Sequence, residues 1–253
     1  MSLGLGTSLS KSGLVTPGIV TDSLVLKHNY AAGGVVPLSD GAAYLKSASS
    51  QYIDMGSDST LDTGTSDFSV SCWFNASTQG GTGHHDLVTK GQTLNDGAGW
   101  GISLVEDGKS IFFDTDGNVA RQHASTAGVW SFNKWHHVAA TRSNSSDTTK
   151  LYVDGVLKST NASATNNDLD DAAKNFQIGN GDSSRYANGY ICNVGFWKAA
   201  LTQAQIKSIM WKNYAGLTSS ETENLVSWWN LDSADGYTVE DLQGSNNGTL
   251  SGS

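Results

Sequence analysis

From Tyr44 onward the chain sets apolar and polar residues in short alternating runs with turn residues between them. Residues 68–74 show the pattern best. Val70, Cys72 and Phe74 fall on one face and Ser69, Ser71 and Trp73 on the other, the period of two that a strand imposes. Further strands are predicted over residues 52–55, 86–90, 100–106, 109–114, 135–142, 150–153, 176–178, 190–197 and 225–231. Asp107-Gly108 and Asp154-Gly155 read as two-residue hairpin turns, because both residue types tolerate positive φ. A single helix is predicted after Thr202, which forms a capping box with Gln205. Ile206, Ile209, Met210 and Tyr214 then make one apolar stripe, and Gly216 supplies the stop. Residues 241–248 read as a polar, turn-rich tail. So many short strands without repeated helices predict an all-β chain, a two-sheet antiparallel sandwich or jelly roll.

No domain boundary shows after Tyr44. Residues 1–41 form a separate arm with the first strand, and residues 42–253 form the sandwich domain. In residues 1–22, Leu, Val and Ile are spaced by Gly, Ser and Thr without a period. That segment reads either as a floppy tail or as an extended arm docked on a neighbouring subunit.

Composition narrows the partners. Of 253 residues, 29 are glycine, and charged residues make up only 15%, against about 25% in an average protein. Lys+Arg 15 against Asp+Glu 24 gives a net charge of −9. An acidic chain of this kind has no basic face for nucleic acid or for an anionic membrane surface. No run approaches the roughly 20 apolar residues of a membrane span. The first twenty residues lack the basic start and continuous apolar core of a secretory leader, so synthesis in the cytosol is expected. Cys72 and Cys192 sit in apolar strand patterns and are expected as buried free thiols.

Catalytic chemistry finds little support. Glycoside hydrolysis needs two carboxylates flanking the scissile bond, and the chain has only Glu106, Glu221, Glu223 and Glu240, none in a paired strand motif. The adjacent His84 and His85 suit a transition metal or a solvated loop. Aromatic rings beside polar loops suit a sugar, whose apolar face they cover while polar groups fix its orientation. Trp100, Trp130 and Tyr186 lie beside such loops, and with Arg185, His84 and His85 they form the candidate ligand set.

Five phrases in order carry a family resemblance: Ala43-Tyr44-Leu45 through Tyr52-Ile53-Asp54-Met55-Gly56, Phe68 to Phe74, Trp135-His136-His137-Val138-Ala139, Leu151-Tyr152-Val153-Asp154-Gly155, and Gly189-Tyr190-Ile191 to Trp197 followed by Leu201-Thr202 and Ile206. Together they resemble the laminin-G-like and pentraxin branch of the concanavalin A-like jelly rolls. The resemblance implies a jelly-roll sandwich with one short helix and an extended N-terminal arm, and a lectin-like or adhesion role rather than catalysis. It also raises a structural calcium ion. Its ligands would be Asn180 and Asp182, or Asp232 and Asp241, although Gly83, His84 and His85 stand where pentraxins carry an Asp/Asn pair and Arg185 stands near the position of an amide ligand. Trp229-Asn230-Leu231-Asp232 with Gly248-Thr249-Leu250 is similar to a segment that usually opens such domains, yet here it closes the chain. Residues 18–26 are similar to the openings of marine phage virion proteins that carry such domains. The expectation is therefore a non-enzymatic virion structural protein, a capsid decoration or tail component. It would be held to other virion proteins by its arm, form homo-oligomers and bind host-surface glycan. The alternatives are a free carbohydrate-binding or adhesion module and a glycan hydrolase.

Overall fold

A computed structural model describes residues 41–78, 83–91, 99–116, 122–162, 168–169, 171–181, 185–232 and 238–252. Residues 1–40, and with them the arm, lie outside this set, as does Asp182. Among the described residues the strands form two antiparallel sheets. Sheet A orders β1 (Ala43–Leu45), β12 (Gly189–Trp197), β3 (Phe68–Ala76), β8 (His136–Ser143), β9 (Thr148–Val153) and β10 (Val156–Asn161), and β13 (Leu225–Trp229) continues beyond β1 along β12. Sheet B orders β14 (Thr238–Val239), β15 (Gly248–Ser251), β2 (Tyr52–Asp54), β11 (Phe176–Ile178), β4 (His84–Gly91), β5 (Gly99–Val105), β6 (Ser110–Asp116) and β7 (Gln122–Thr126). Among the described residues, the all-β sandwich with one α-helix is the architecture that the strand periodicity predicts.

The inner faces interlock through aromatic residues. Trp100 stacks on Phe196 at 5.9 Å and meets Phe176 edge-on at 5.5 Å, while Phe68 lies 5.0 Å from Trp100. Such pairs add about 0.5–1.5 kcal/mol each beyond the area they bury. The alternation in β3 holds: Val70, Cys72 and Phe74 join this main core, while Trp73 turns outward into a separate cluster with Cys192 and Met210. The two cysteines are buried free thiols, and they face opposite sides of sheet A.

The outer face of sheet A is itself apolar, which calls for a third layer. Helix α1 (Gln203–Ile209) begins with the expected capping box at Thr202 and Gln205. It lays Ile206 and Ile209 over Ala139, Tyr152, Trp197 and Trp228. The helix ends at Met210, earlier than the stripe suggests, and Gly216 closes a separate 3-10 turn capped by Asn213. Glu221 clamps this layer to the sheet. Its carboxylate accepts from Ser208 Oγ (2.6 Å), Lys212 Nζ (2.6 and 2.7 Å) and the Thr218 amide (2.8 Å), and its carbonyl accepts from Trp197 Nε1 (2.9 Å).

Two further expectations change. The β5–β6 connection is not a two-residue hairpin. Val105 pairs with Ser110 across four residues, and the Glu106 amide donates a hydrogen bond to the Gly83 carbonyl at 2.8 Å, which holds the first of them back. The Asp154-Gly155 turn does hold, with φ of 51° and 72° at its two residues. The polar tail ends in a strand, for β15 enters sheet B between β14 and β2. This gives the terminal Gly248-Thr249-Leu250 phrase its place.

Burial disfavours the charged form of Glu221, but the bonds from Lys212, Ser208 and Thr218 outweigh it and bring the carboxyl down to about 2. A carboxyl depressed in the folded state stabilises above its unfolded value and loses that contribution as pH falls toward the folded one. Stability should therefore decline between pH 4.5 and about 2. Glu221→Gln should flatten that decline and cost about 2 kcal/mol at neutral pH, the scale of a hydrogen bond to a charged group. Urea unfolding at several pH values measures both, and an unchanged acid limb would contradict the clamp.

Candidate functional site

The site is built where the chain crosses from sheet B to sheet A, after β11 and before β12. β4 takes a bulge between Asp86 and Val88, which turns both Leu87 and Val88 into the core and leaves Asp86 on the outer face beside Ser103. Bulges re-aim side chains in this way. The described residues of the crossing, 179–181 and 185–188, then lie along β4. Gly179 N donates to Leu87 O (2.9 Å), Asp86 N donates to Arg185 O (2.9 Å), and Ala187 N donates to Gly179 O (2.7 Å). Thr89 Oγ1 donates to Asn180 O at 2.7 Å. Gly181 passes so near Asp86 that a Cβ there would stand 2.8 Å from its Oδ2.

His85 fastens the far end of the crossing. Its Nδ1 accepts from the Asn188 amide at 3.1 Å, so the ring proton sits on Nε2 and is given to Glu106 Oε1 at 3.0 Å. Glu106 also accepts from Thr78 Oγ1 at 3.1 Å, and Asn188 Nδ2 donates to Thr78 O at 2.9 Å. Burial pushes the His85 pKa down against the opposing pull of Glu106. A protonated ring would also present a second N–H to the Asn188 amide. His85 is therefore a neutral positioning residue.

On this side of sheet B the elements gather Asp86, Ser103 and Asn180, all buried, and the half-buried His84, Arg185, Tyr52 and Tyr186, the two tyrosine rings having centroids 6.1 Å apart. Asp86 is buried, with Oδ1 accepting from Ser103 Oγ at 2.7 Å. Burial and the nearby Arg185 charge hold the His84 imidazole below its ordinary pKa. Asn180 Oδ1 and His84 Nδ1 are buried and have no hydrogen-bond partner among the described residues. A buried polar atom left unpaired costs about 1–3 kcal/mol, and each such atom in a native fold calls for a partner.

The structure thus brings four predicted residues together, His84, Asn180, Arg185 and Tyr186, and separates the other described ones. His84 and His85 open strand β4 and are not a solvated loop, and His85 is spent on Asn188 and Glu106. Trp100 is 0% exposed and belongs to the central core, so it cannot offer its ring to a ligand. Trp130 is 3% exposed, donates Nε1 to Ser110 O at 3.1 Å and packs on Phe74 and Phe132, so it plugs the sandwich rim. Asp86, Ser103 and Tyr52 were not legible as site residues. The signal for Asp86 was a lone charge inside an apolar strand.

The described residues do not fit a calcium ion. Ca²⁺ takes six to eight oxygens, whereas here one carboxylate already accepts from Ser103 and an imidazole and a guanidinium stand beside it. No group of three or more His, Cys, Asp and Glu converges among the described residues. Asp232 and Asp241 do not form a joint site. Asp241 gives its carboxylate to the amides of Trp228, Gln243, Gly244 and Asn246 (3.0–3.1 Å) and so shapes the turn before β15. Asp232 accepts from Asn230 Nδ2 at 3.1 Å. It lies on the rim of a cavity of about 330 Å³ at the open sandwich edge, floored by Leu45, Ile53, Leu231 and Leu250.

A family model described as the concanavalin A-like lectin/glucanases superfamily, laminin G type, matches residues 47–207. No curated protein sequence matches the chain. Among solved structures, a Bacteroides ovatus protein provisionally described as a carbohydrate binding protein superposes with a TM-score of 0.64 at 21% identity. That likeness covers 86% of this chain, which spans only 59% of that structure's length. The CBM40 of a Ruminococcus gnavus IT-sialidase, solved with α2,3 sialyllactose, gives 0.51 at 11% identity, covering 68% of this chain and 99% of that one. Domain 4 of AbnA, an extracellular arabinanase from Geobacillus stearothermophilus, solved with arabinotriose, gives 0.51 at 23% identity, covering 68% and 79%. Likenesses at this identity establish the shared fold.

Proposed function

The chain belongs to the concanavalin A-like lectin/glucanase superfamily, and from that premise we propose that it is a non-catalytic carbohydrate-binding module whose ligand rests on the outer face of sheet B. The observation that carries this reading is the pair of unpartnered buried atoms, Asn180 Oδ1 and His84 Nδ1, set beside Asp86, Arg185 and the Tyr52–Tyr186 rings. A sugar supplies hydroxyls to the polar atoms and an apolar ring face to the tyrosines. The described relatives with bound saccharides share the fold and support the same class of ligand.

Binding without bond cleavage suits the carboxylates. Glu106 is tied to His85 and Thr78, and Glu221 to Lys212. Asp86 and Asp114 share the outer face of sheet B, but strand β5 runs between them and Asp114 lies two residues beyond the register of Asp86. Strand spacing and rise put their backbones roughly 12 Å apart, far from the ~5–5.5 Å of a nucleophile–acid pair. Saturable binding to one saccharide class on a glycan array is expected, with no reducing ends released. Tyr186→Ala and Arg185→Ala should each weaken it about 30-fold, the scale of a 2 kcal/mol anchor. Sugar release by the wild-type chain, or unchanged affinity in both variants, would overturn the reading.

Residues 18–26 support a finer placement of the module on a virion, as a capsid decoration or tail component held through its N-terminal segment. They lie outside the described residues. Deleting residues 1–22 should abolish incorporation into particles while the sandwich still unfolds cooperatively, and normal incorporation would sink that placement.

A further inference from the structure

Helix α1 covers only one end of the outer face of sheet A. At the other end Trp73, Cys192 and Met210 form a buried floor, with Ala42 and Trp135 packed against it. Trp73 is locked there, for its Nε1 donates to Met210 O at 2.7 Å. On this floor stand rings that the fold leaves in the open. Tyr44 and Tyr190 are a cross-strand pair between β1 and β12, with centroids 4.7 Å apart. Trp135 lies 6.2 Å from Tyr190, and Trp211 lies 5.7 Å from Trp73. Tyr44 is 45% exposed, Tyr190 42% and Trp211 43%. These are three of the five large apolar side chains exposed among the described residues, and they share one neighbourhood.

We propose that this face is a second glycan-binding platform, built by Tyr44, Tyr190 and Trp211 over Trp73 on the sheet opposite the first site. It rests on the carbohydrate reading above and deepens it, since two sites on opposite sheets let one chain bridge two polysaccharide strands. The area decides the class of occupant. A buried aromatic side chain covers about 150–250 Å², so three rings less than half exposed present roughly 250 Å² together. A stable protein interface takes about 800 Å² from each partner. The platform is too small for a second copy of the chain and matches a short stretch of pyranose rings laid flat. The polar margin agrees. Lys46 Nζ stands 6.0 Å from the Tyr44 ring centre, and Asn75 sits opposite Tyr190 in the β3–β12 register. Both can reach ring hydroxyls of a sugar seated on the tyrosines.

The test titrates the saccharide that the array identifies, as a short oligosaccharide, into three proteins: wild type, Tyr44→Ala with Tyr190→Ala, and Tyr186→Ala with Arg185→Ala. Calorimetry gives stoichiometry, and turbidity with the parent polysaccharide reports bridging. The platform predicts two sites per wild-type chain, one site in each double variant, and loss of bridging in both. Tyr190→Phe should keep the second site within about threefold, because it keeps the ring, and it guards against misreading an unfolded variant. One site in the wild type, lost with Tyr186 and Arg185 and untouched at Tyr44 and Tyr190, would overturn the platform and leave the sheet-B reading standing. Loss confined to the Tyr44 and Tyr190 variant would do the reverse. A wild-type dimer that Tyr190→Ala dissociates would overturn the platform in favour of a protein interface. A wild type that binds no saccharide would overturn both readings.

Discussion

The chain must leave sheet B after Ile178 and enter sheet A at Gly189, and the way it is pinned during that passage governs the surface around it. Backbone hydrogen bonds join the crossing to Leu87 and Asp86, and the Thr89 hydroxyl holds Asn180. His85 closes the far end by accepting the Asn188 amide with a neutral ring. Without this pinning, Arg185, Tyr186 and Asn180 would lie on a loose connection. With it they hold a set position beside Asp86. The strand bulge at Asp86 is the matching concession on the other side: it withdraws Leu87 into the core so that a carboxylate can face outward.

The same economy explains the tryptophans. A buried indole N–H needs an acceptor, and most of them find one in a carbonyl at the end of a loop. Trp73 donates to Met210, Trp130 to Ser110, Trp197 to Glu221 and Trp229 to Asn246. Each ring is thus both filler and a tie between a sheet and the segment that covers it. Trp211 has no such tie among the described residues and lies on the surface. Its position sets it with Tyr44 and Tyr190 rather than with the core.

Much of the architecture was legible because it rests on local signals. Alternation in β3, the capping box at Thr202 and the Asp154-Gly155 turn each depend on residues close in sequence, and each holds. What was not legible depends on partners distant in sequence. Trp100 and Trp130 sit beside polar, glycine-rich stretches exactly as surface rings would, yet the second sheet covers both. Asp241 reads like a metal ligand, but its carboxylate is consumed by four backbone amides within its own turn and in β13. Strand β15 carries a polar composition and is a strand because β14 and β2 lie beside it. Asp86 and Gly181, the neighbour of Asn180, meet across more than ninety positions of chain, which no local pattern reports.

The central claim is that a saccharide is held where the crossing segment meets β4. Backbone amide NMR during titration with the array-selected oligosaccharide tests it most directly. The account predicts that shift changes at His84, Asp86, Asn180, Arg185 and Tyr186 rank among the largest and saturate together. Saturable binding that leaves those five amides unmoved would contradict it.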